Sequence, residues 1–303
     1  MYSSCKNKAE YIAKIEKLKQ DNIAELMRTH KYDDYRRIFQ SLMSGQYRNT
    51  IRLCKEKLFR ILRHGKKKEM TVSNYFSEER IAVYTVIFGK YDVLYEPKCC
   101  PDNCDFFVIS DTVEPPSGSA WKKLILPEEM LKKLDGMNAI RKNRYVKMLP
   151  HLFFSDYNFS VYLDGNIALV TDPTEFINRM PDVGASFHKH VSRDCVYDEA
   201  RAILDQNKAP KIYIYDLIAF LKKENMPSHY GLLECPVIVR NHNQSECIEI
   251  MEAWWELFEK YPYRDQMLLP YVLFKRGIRP DELACLGNNV RFCSSFRRYQ
   301  HII

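Results

Sequence analysis

Beyond residue 70 the chain is written in short apolar runs, rich in β-branched and aromatic residues, that alternate with longer stretches of helical spacing. The runs "RIAVYTVIFG" (80–89), "CDFFVISD" (104–111) and "AWKKLIL" (120–126) predict strands. Helices are expected at 128–134 and 138–148, then a strand through "SVYLDGNIALV" (160–170), then a helix at "DPTEFINRM" with Pro173 near its start. The alternation goes on with a strand at "VGASFHKH", helices in "YDEARAILDQNK" and "KIYIYDLIAFLKKEN", a strand at "GLLECPVIVRN", and helices in "SECIEIMEAWWELFEKY" and "RDQMLLPYVLFKRG". Strands alternating with helices of this length predict an α/β fold, a mixed, mostly parallel sheet flanked by helices. Before residue 70 the pattern is purely helical. Apolar residues recur at three- to five-residue intervals over 9–27 and again over 35–64, where "HGKKKE" supplies a stop at Gly65. The expected organisation is a basic helical extension, 1–70, and one α/β domain, 71–303.

A chain of 303 residues that is 46% hydrophobic can bury a large core, which excludes a disordered or fibrous protein. Its formal charge of +7 is unevenly placed: residues 1–70 carry 18 Lys and Arg against 8 Asp and Glu, leaving 28 against 31 for the rest. The basic helices read either as a solvated hairpin or as a surface for anionic lipid headgroups or an acidic partner. Their aromatics fall at helical core spacing, so nucleic acid is not expected as a partner. There is neither a run of about 20 apolar residues nor the apolar stretch of a signal peptide, which predicts a cytoplasmic protein, held at the inner face of the membrane if the basic helices dock there. The ten cysteines are scattered and read as reduced thiols.

In a mostly parallel sheet, ligands bind beyond the carboxyl ends of the strands. The acidic break Asp164-Gly165-Asn166 in an otherwise apolar run is the first candidate. Gly165 permits a tight backbone path, and Asp164 and Asn166 offer hard oxygens suited to Mg²⁺ or Mn²⁺ beside a diphosphate. The same residues also make an ordinary hairpin turn. Neither a GxGxxG nor a P-loop motif is present. Arg141, Arg144 and Lys147, spaced by three, lie near one helix face and can clamp a diphosphate. "SFHKHVSRDCVYDEA" gathers His188, His190, Arg193, Tyr197 and Glu199; His188 and His190 would share a strand face, as a metal pair or as ordinary hydrogen-bonded histidines. Farther on, Trp254, Trp255, Arg264, Asp265 and Gln266 suggest an acceptor side, with Asp265 either a general base kept ionised by Arg264 or a helix cap.

Taken in order, "VYTVIFGKYDVL", "RKNRYVKMLPHLFFSDYNFSVYLDGNIAL", "FHKHVSRDCVYDEA", "PVIVRNHN", "EAWWELFEKYPYRDQMLLPYVL" and "FRRYQHI" resemble a glycosyltransferase-like domain, once a domain of unknown function, of plant mucilage-related proteins and bacterial polysaccharide loci. The resemblance covers about 81–301. It implies a GT-A-like, Rossmann-like fold, a nucleoside diphosphate sugar as donor, most simply a UDP-sugar, and a divalent metal, Mn²⁺ or Mg²⁺. It makes Asp164 and Asn166 the counterpart of the family's acidic metal motif, with His301 completing the metal shell. It further implies a nucleotide pocket of Phe88, Gly89, Tyr91 and Asp111 beside Asp164 and Gly165, with phosphate contacts from Arg144 and Lys147. The activity implied is a hexosyltransferase-like transfer to a saccharide or lipid-linked hydroxyl acceptor in polysaccharide or glycoconjugate synthesis. Asp265, Arg264 and Glu199 are the expected catalytic groups, and His188, His190, Arg193, Trp255 and Gln266 the expected acceptor contacts. Two rivals follow from single features: a metal-dependent hydrolase built on His188 and His190, and an inactive scaffold in which the neutral Asn166 has lost the metal.

Overall fold

The computed structural model describes residues 79–89 and 91–301, together with ten positions between Glu10 and Ile51, all helical. The rest of the expected helices at 9–27 and 35–64, their proposed membrane contact and the boundary at 70/71 lie outside the described residues.

Among the described residues a six-stranded sheet has the order β3-β2-β1-β4-β7-β6. Its strands are β1 (Ile81–Ile87), β2 (Cys104–Ser110), β3 (Trp121–Lys123), β4 (Phe159–Leu163), β6 (Ala185–Lys189) and β7 (Leu233–Arg240). β1 pairs in parallel with β2 and β4, and β2 with β3, while β7 runs antiparallel to both β4 and β6. The sheet is therefore mixed, as expected. All seven residues of β1 are buried, because both faces of the sheet are covered. Alternation sorts the side chains: Ala82, Tyr84, Val86, Tyr162 and Ile238 point into a large core under the helices, and Ile81, Val83, Val161, Leu163, Val237 and Val239 into a smaller core on the other face.

The helices are α1 (Glu128–Asp135), α2 (Ala139–Met148), a single turn α3 (Thr174–Ile177), α4 (Val196–Asp205), α5 (Lys211–Lys223), α6 (Ser245–Lys260) and α7 (Asp265–Lys275). Asn138 caps α2 by accepting a hydrogen bond from the Arg141 N–H, and the Asn143 amide donates to the Val86 carbonyl, docking α2 beside the end of β1. At the other end of α2, the fully buried Arg240 donates to the Lys147 carbonyl at 2.8 Å, and the Tyr84 hydroxyl donates to the same oxygen at 3.0 Å. A cation at a helix C-terminus also meets the favourable end of its dipole. Burial pushes the Tyr84 hydroxyl up to about 12, against the pull of Arg240, so it stays a neutral donor.

The apolar run 160–170 is two strands in different sheets. β4 ends at Leu163, and β5 (Ile167–Leu169) pairs antiparallel with β8 (Phe296–Arg298), a strand that sequence periodicity did not reveal. Asp164-Gly165-Asn166 is the crossing between them and not a hairpin turn within one sheet. Gly165 is required by a close approach: a Cβ there would stand 3.0 Å from the Asp92 side chain and 3.2 Å from Ile87. Replacing Gly165 by Ala is expected to cost about 1–3 kcal/mol, as overpacking does. Urea denaturation of the variant against wild type measures it.

Candidate active site

The crossing after β4, the end of β6 and the start of β7 open onto one cleft of about 330 Å³, at the carboxyl side of the parallel strands. Its lining includes Arg144, Lys147, Asp164, Asn166, His190, Arg193, Glu199, Arg264, Asp265, Gln266 and His301. Eleven of the candidate residues, drawn from positions 144 to 301, are thus brought together.

The centre of the cleft is an ion network. Lys147, only 2% exposed, places its ammonium 2.8 Å from Asp265 Oδ2 and 3.7 Å from Asp164 Oδ1, over the ring of Tyr162 at 5.0 Å. Arg144 Nε stands 3.1 Å from the same Asp265 oxygen, close but not aligned as a hydrogen bond. Burial alone would raise the Asp265 carboxyl; Arg144, Lys147 and the Gln266 N–H overcome it and hold Asp265 well below the usual carboxylate range. For Arg144 burial likewise opposes the charge, and Asp265, Tyr162 and Asp164 raise the guanidinium above its ordinary value. The Tyr162 hydroxyl donates to Asp164 Oδ1 at 2.7 Å, orienting that carboxylate.

Asp164, Asn166 and His301 all line the cleft. The Asn166 amide nitrogen donates to the Tyr299 carbonyl at 2.8 Å, which turns its oxygen the other way. His301 Nδ1 lies 3.0 Å from both oxygens of Asp92, a residue the sequence did not single out. Burial raises the Asp92 carboxyl, and the hydrogen bond and charge of His301 oppose that. The segment carrying His301 is anchored: Tyr299 N–H donates to the Asn166 carbonyl at 2.8 Å, and its ring stacks on Tyr95 at 4.0 Å. A carboxylate oxygen, an amide oxygen and an imidazole buttressed by a carboxylate form a donor set that fits Mn²⁺ or Mg²⁺.

The wall opposite is formed by the segment after β6. His190 Nδ1 accepts the Arg193 N–H at 3.0 Å, which places the proton of the neutral ring on Nε2, 3.6 Å from Glu199. Burial lowers the His190 imidazole to about 4. Arg193 pairs with Glu199, and Arg264 donates to the Lys208 carbonyl at 2.8 Å. Glu234, Asn289, Arg291 and Arg298 also line the cleft. Glu234 is held by the Asn289 amide at 2.8 Å; burial raises its carboxyl to about 7 against the pull of Arg291 and Arg298. A lone Glu between Leu233 and Cys235 in an apolar strand was its signal in the sequence.

Several expected residues lie elsewhere. Trp255 is packed in the core against Tyr145 and Phe258 and cannot meet an acceptor. Its neighbour Trp254 is also buried, its indole N–H donating to the Asp265 carbonyl. His188 is fully buried against Phe296, and burial lowers it to about 3. His188 is absent from the cleft lining that contains His190, so the two do not share a metal there. Phe88, Gly89, Tyr91 and Asp111 are not in the cleft lining. Asp111 accepts the Gly89 N–H at 2.9 Å and closes that turn, whereas the exposed Tyr91 ring lies 5.1 Å from His301. Arg141 points away to Glu259.

A sequence profile of the TOD1/MUCI70, glycosyltransferase-like domain matches residues 120–292, more than half of the chain. The chain belongs to this family. The profile spans α2, the crossing after β4, the His190 wall and α7, and so nearly all of the cleft. No curated protein matches the chain in sequence. Among solved structures it is similar to the bifunctional glycosyltransferase WbbM (12% identity, TM-score 0.41, 68% of this chain and 39% of that one). It is similar also to mouse xyloside xylosyltransferase 1 (11%, TM-score 0.37, 67% and 83%) and to the galactosyltransferase LgtC (14%, TM-score 0.36, 65% and 72%). The chain spans about two fifths of WbbM. These likenesses are loose, and the family assignment rests on the profile. This glycosyltransferase-like domain has the expected mixed α/β architecture, a six-stranded sheet flanked by helices.

Converting Asp265 to Asn leaves the buried Lys147 with only the more distant Asp164 carboxylate, at 3.7 Å, and the expected loss is about 3 kcal/mol at neutral pH. A carboxylate with a depressed folded value stabilises above the unfolded value and loses that contribution as pH falls. The gap between wild type and variant should therefore narrow below about pH 4, which denaturation curves at pH 7 and pH 3 check.

Proposed function

We propose that the domain transfers a sugar from a nucleoside diphosphate donor, most simply a UDP-sugar, to a hydroxyl of a saccharide or lipid-linked acceptor. The observation that carries this reading is the charge of the cleft: seven cationic side chains against four carboxylates in its lining. Arg144, Lys147, Arg264, Arg291 and Arg298 give a diphosphate the compensation it needs when the glycosidic bond breaks and negative charge develops on the leaving phosphate. Asp164, Asn166 and His301 would hold a divalent ion, which supplies Lewis-acid neutralisation of that diphosphate. Tyr162 and Lys147 orient Asp164 for this role, and Asp92 orients His301.

The proton of the acceptor hydroxyl needs a base. Asp265 and Glu199 were the sequence candidates. Two cations hold Asp265 ionised but strip it of basicity, so it acts as the electrostatic anchor of Lys147 and Arg144. Glu199 is paired with Arg193. Glu234, whose carboxyl rests at about 7 at the cleft wall, is best matched to take a proton near neutral pH. His190, Arg193, Arg264 and Gln266 line the side where an acceptor would sit. In this reading the nucleotide base occupies the ground beside Tyr91. The basic N-terminal helices would keep a cytoplasmic domain near membrane-bound acceptors.

Two experiments test the assignment. UDP with Mn²⁺ at a hundredfold excess over its dissociation constant should stabilise the protein by about 2.7 kcal/mol, read as a thermal shift that Asp164→Ala removes; no shift with any nucleoside diphosphate would refute donor binding. Second, kcat/KM of donor hydrolysis or transfer should rise through an inflection near pH 7 as Glu234 loses its proton. Glu234→Gln should lower kcat by about 10²–10⁴-fold and flatten that limb, with donor binding retained.

A further inference from the structure

Outside the cleft, the amino end of α4 and the turn before β7 bring together three donors of different chemistry. A thiol sulfur of Cys195, a carboxylate oxygen of Asp198 and a ring nitrogen of His229 all lie within 4.8 Å of one another. Cys195 is buried, Asp198 half-buried and His229 exposed, so the cluster has a protein floor and an open mouth. None of the three lines the cleft. Their spacing is held by contacts other than their own: the Asp194 carbonyl accepts the Gly231 N–H at 2.8 Å, and the Tyr197 hydroxyl donates to the Met226 carbonyl at 2.8 Å. A fourth group points the same way. Asp194 Oδ1 lies 2.8 Å from His229 Nδ1, the arrangement in which a carboxylate fixes the tautomer of an imidazole and leaves its other nitrogen for a metal.

We propose that Cys195, Asp198 and His229 form a second, zinc-type metal site, with Asp194 orienting the imidazole. Thiolate and imidazole donors select a borderline transition metal over Mg²⁺ or Mn²⁺, whose hard-oxygen position is at Asp164. Three protein donors leave a fourth coordination position to water or a further ligand. The site joins the segment 190–199, which carries His190, Arg193 and Glu199 into the cleft wall, to the separate turn 226–231. Metal there fixes that wall from outside. The proposal does not depend on the glycosyltransferase chemistry.

The test uses the full chain, stripped with a chelator and titrated with Co²⁺ and then Zn²⁺. One equivalent of Co²⁺ should bind with a cobalt–thiolate charge-transfer band, and Zn²⁺ should displace it. Cys195→Ser should abolish the band, while His229→Gln, at an exposed position that does not endanger folding, should weaken Zn²⁺ binding by tenfold or more. Asp194→Asn should weaken it by about 10–100-fold, as loss of an orienting partner does, and Cys285→Ser should change nothing. Absence of a thiolate band in wild type, its survival in Cys195→Ser, or unchanged Zn²⁺ affinity in His229→Gln would each overturn the site.

Discussion

An ammonium group buried to 2% exposure sets the terms for the site. Taking Lys147 out of water costs several kcal/mol unless a carboxylate and further polar contacts meet it. Asp265 answers from the first turn of α7, Asp164 from the end of β4, and the ring of Tyr162 lies beneath. Three elements far apart in sequence are tied by one charge. The same helix end is fixed from behind, because Arg240 and Tyr84 hold the Lys147 carbonyl. Lys147 thus has its backbone locked by the core and its side chain locked by the cleft, which is what a preorganised charge for a diphosphate requires.

The second constraint is the crossing at Asp164-Gly165-Asn166. Asp92 packs so closely against Gly165 that a Cβ there would press on it at 3.0 Å, and the same carboxylate holds His301. Asn166 ties to Tyr299 through both backbone and side chain. The chain end is thereby brought back over the carboxyl ends of the strands, where it closes one side of the cleft. The break in the apolar run serves two ends at once: it moves the chain from the central sheet to the β5–β8 pair, and it places Asp164 and Asn166 in the cleft lining.

Much of this was legible in the sequence because it was periodic. The α/β alternation, the buried strands and the helices follow from hydrophobic spacing, and Arg144 and Lys147 fall on the cleft side of α2 as their three-residue spacing suggests. What escaped was decided by tertiary contact. Three-residue β8 is too short to show a period and exists through its pairing with β5. Trp255 was expected to contact the acceptor, but α6 turns it into the core. His188 and His190 share strand parity, yet His188 is packed inside β6 against Phe296, whereas His190, just past the strand end, lines the cleft. Asp265 read as a base because its neighbours in sequence were visible, while Lys147, 118 residues away, was not.

The central claim is that the Lys147–Asp265–Asp164 network and its flanking arginines form a diphosphate site. The most direct test is a crystal structure of the protein grown with UDP and Mn²⁺. The account requires density for the diphosphate between Arg144–Lys147 and Asp164, with the metal touching Asp164. A nucleotide bound with its diphosphate outside this cleft, or a metal held by other residues, would contradict it.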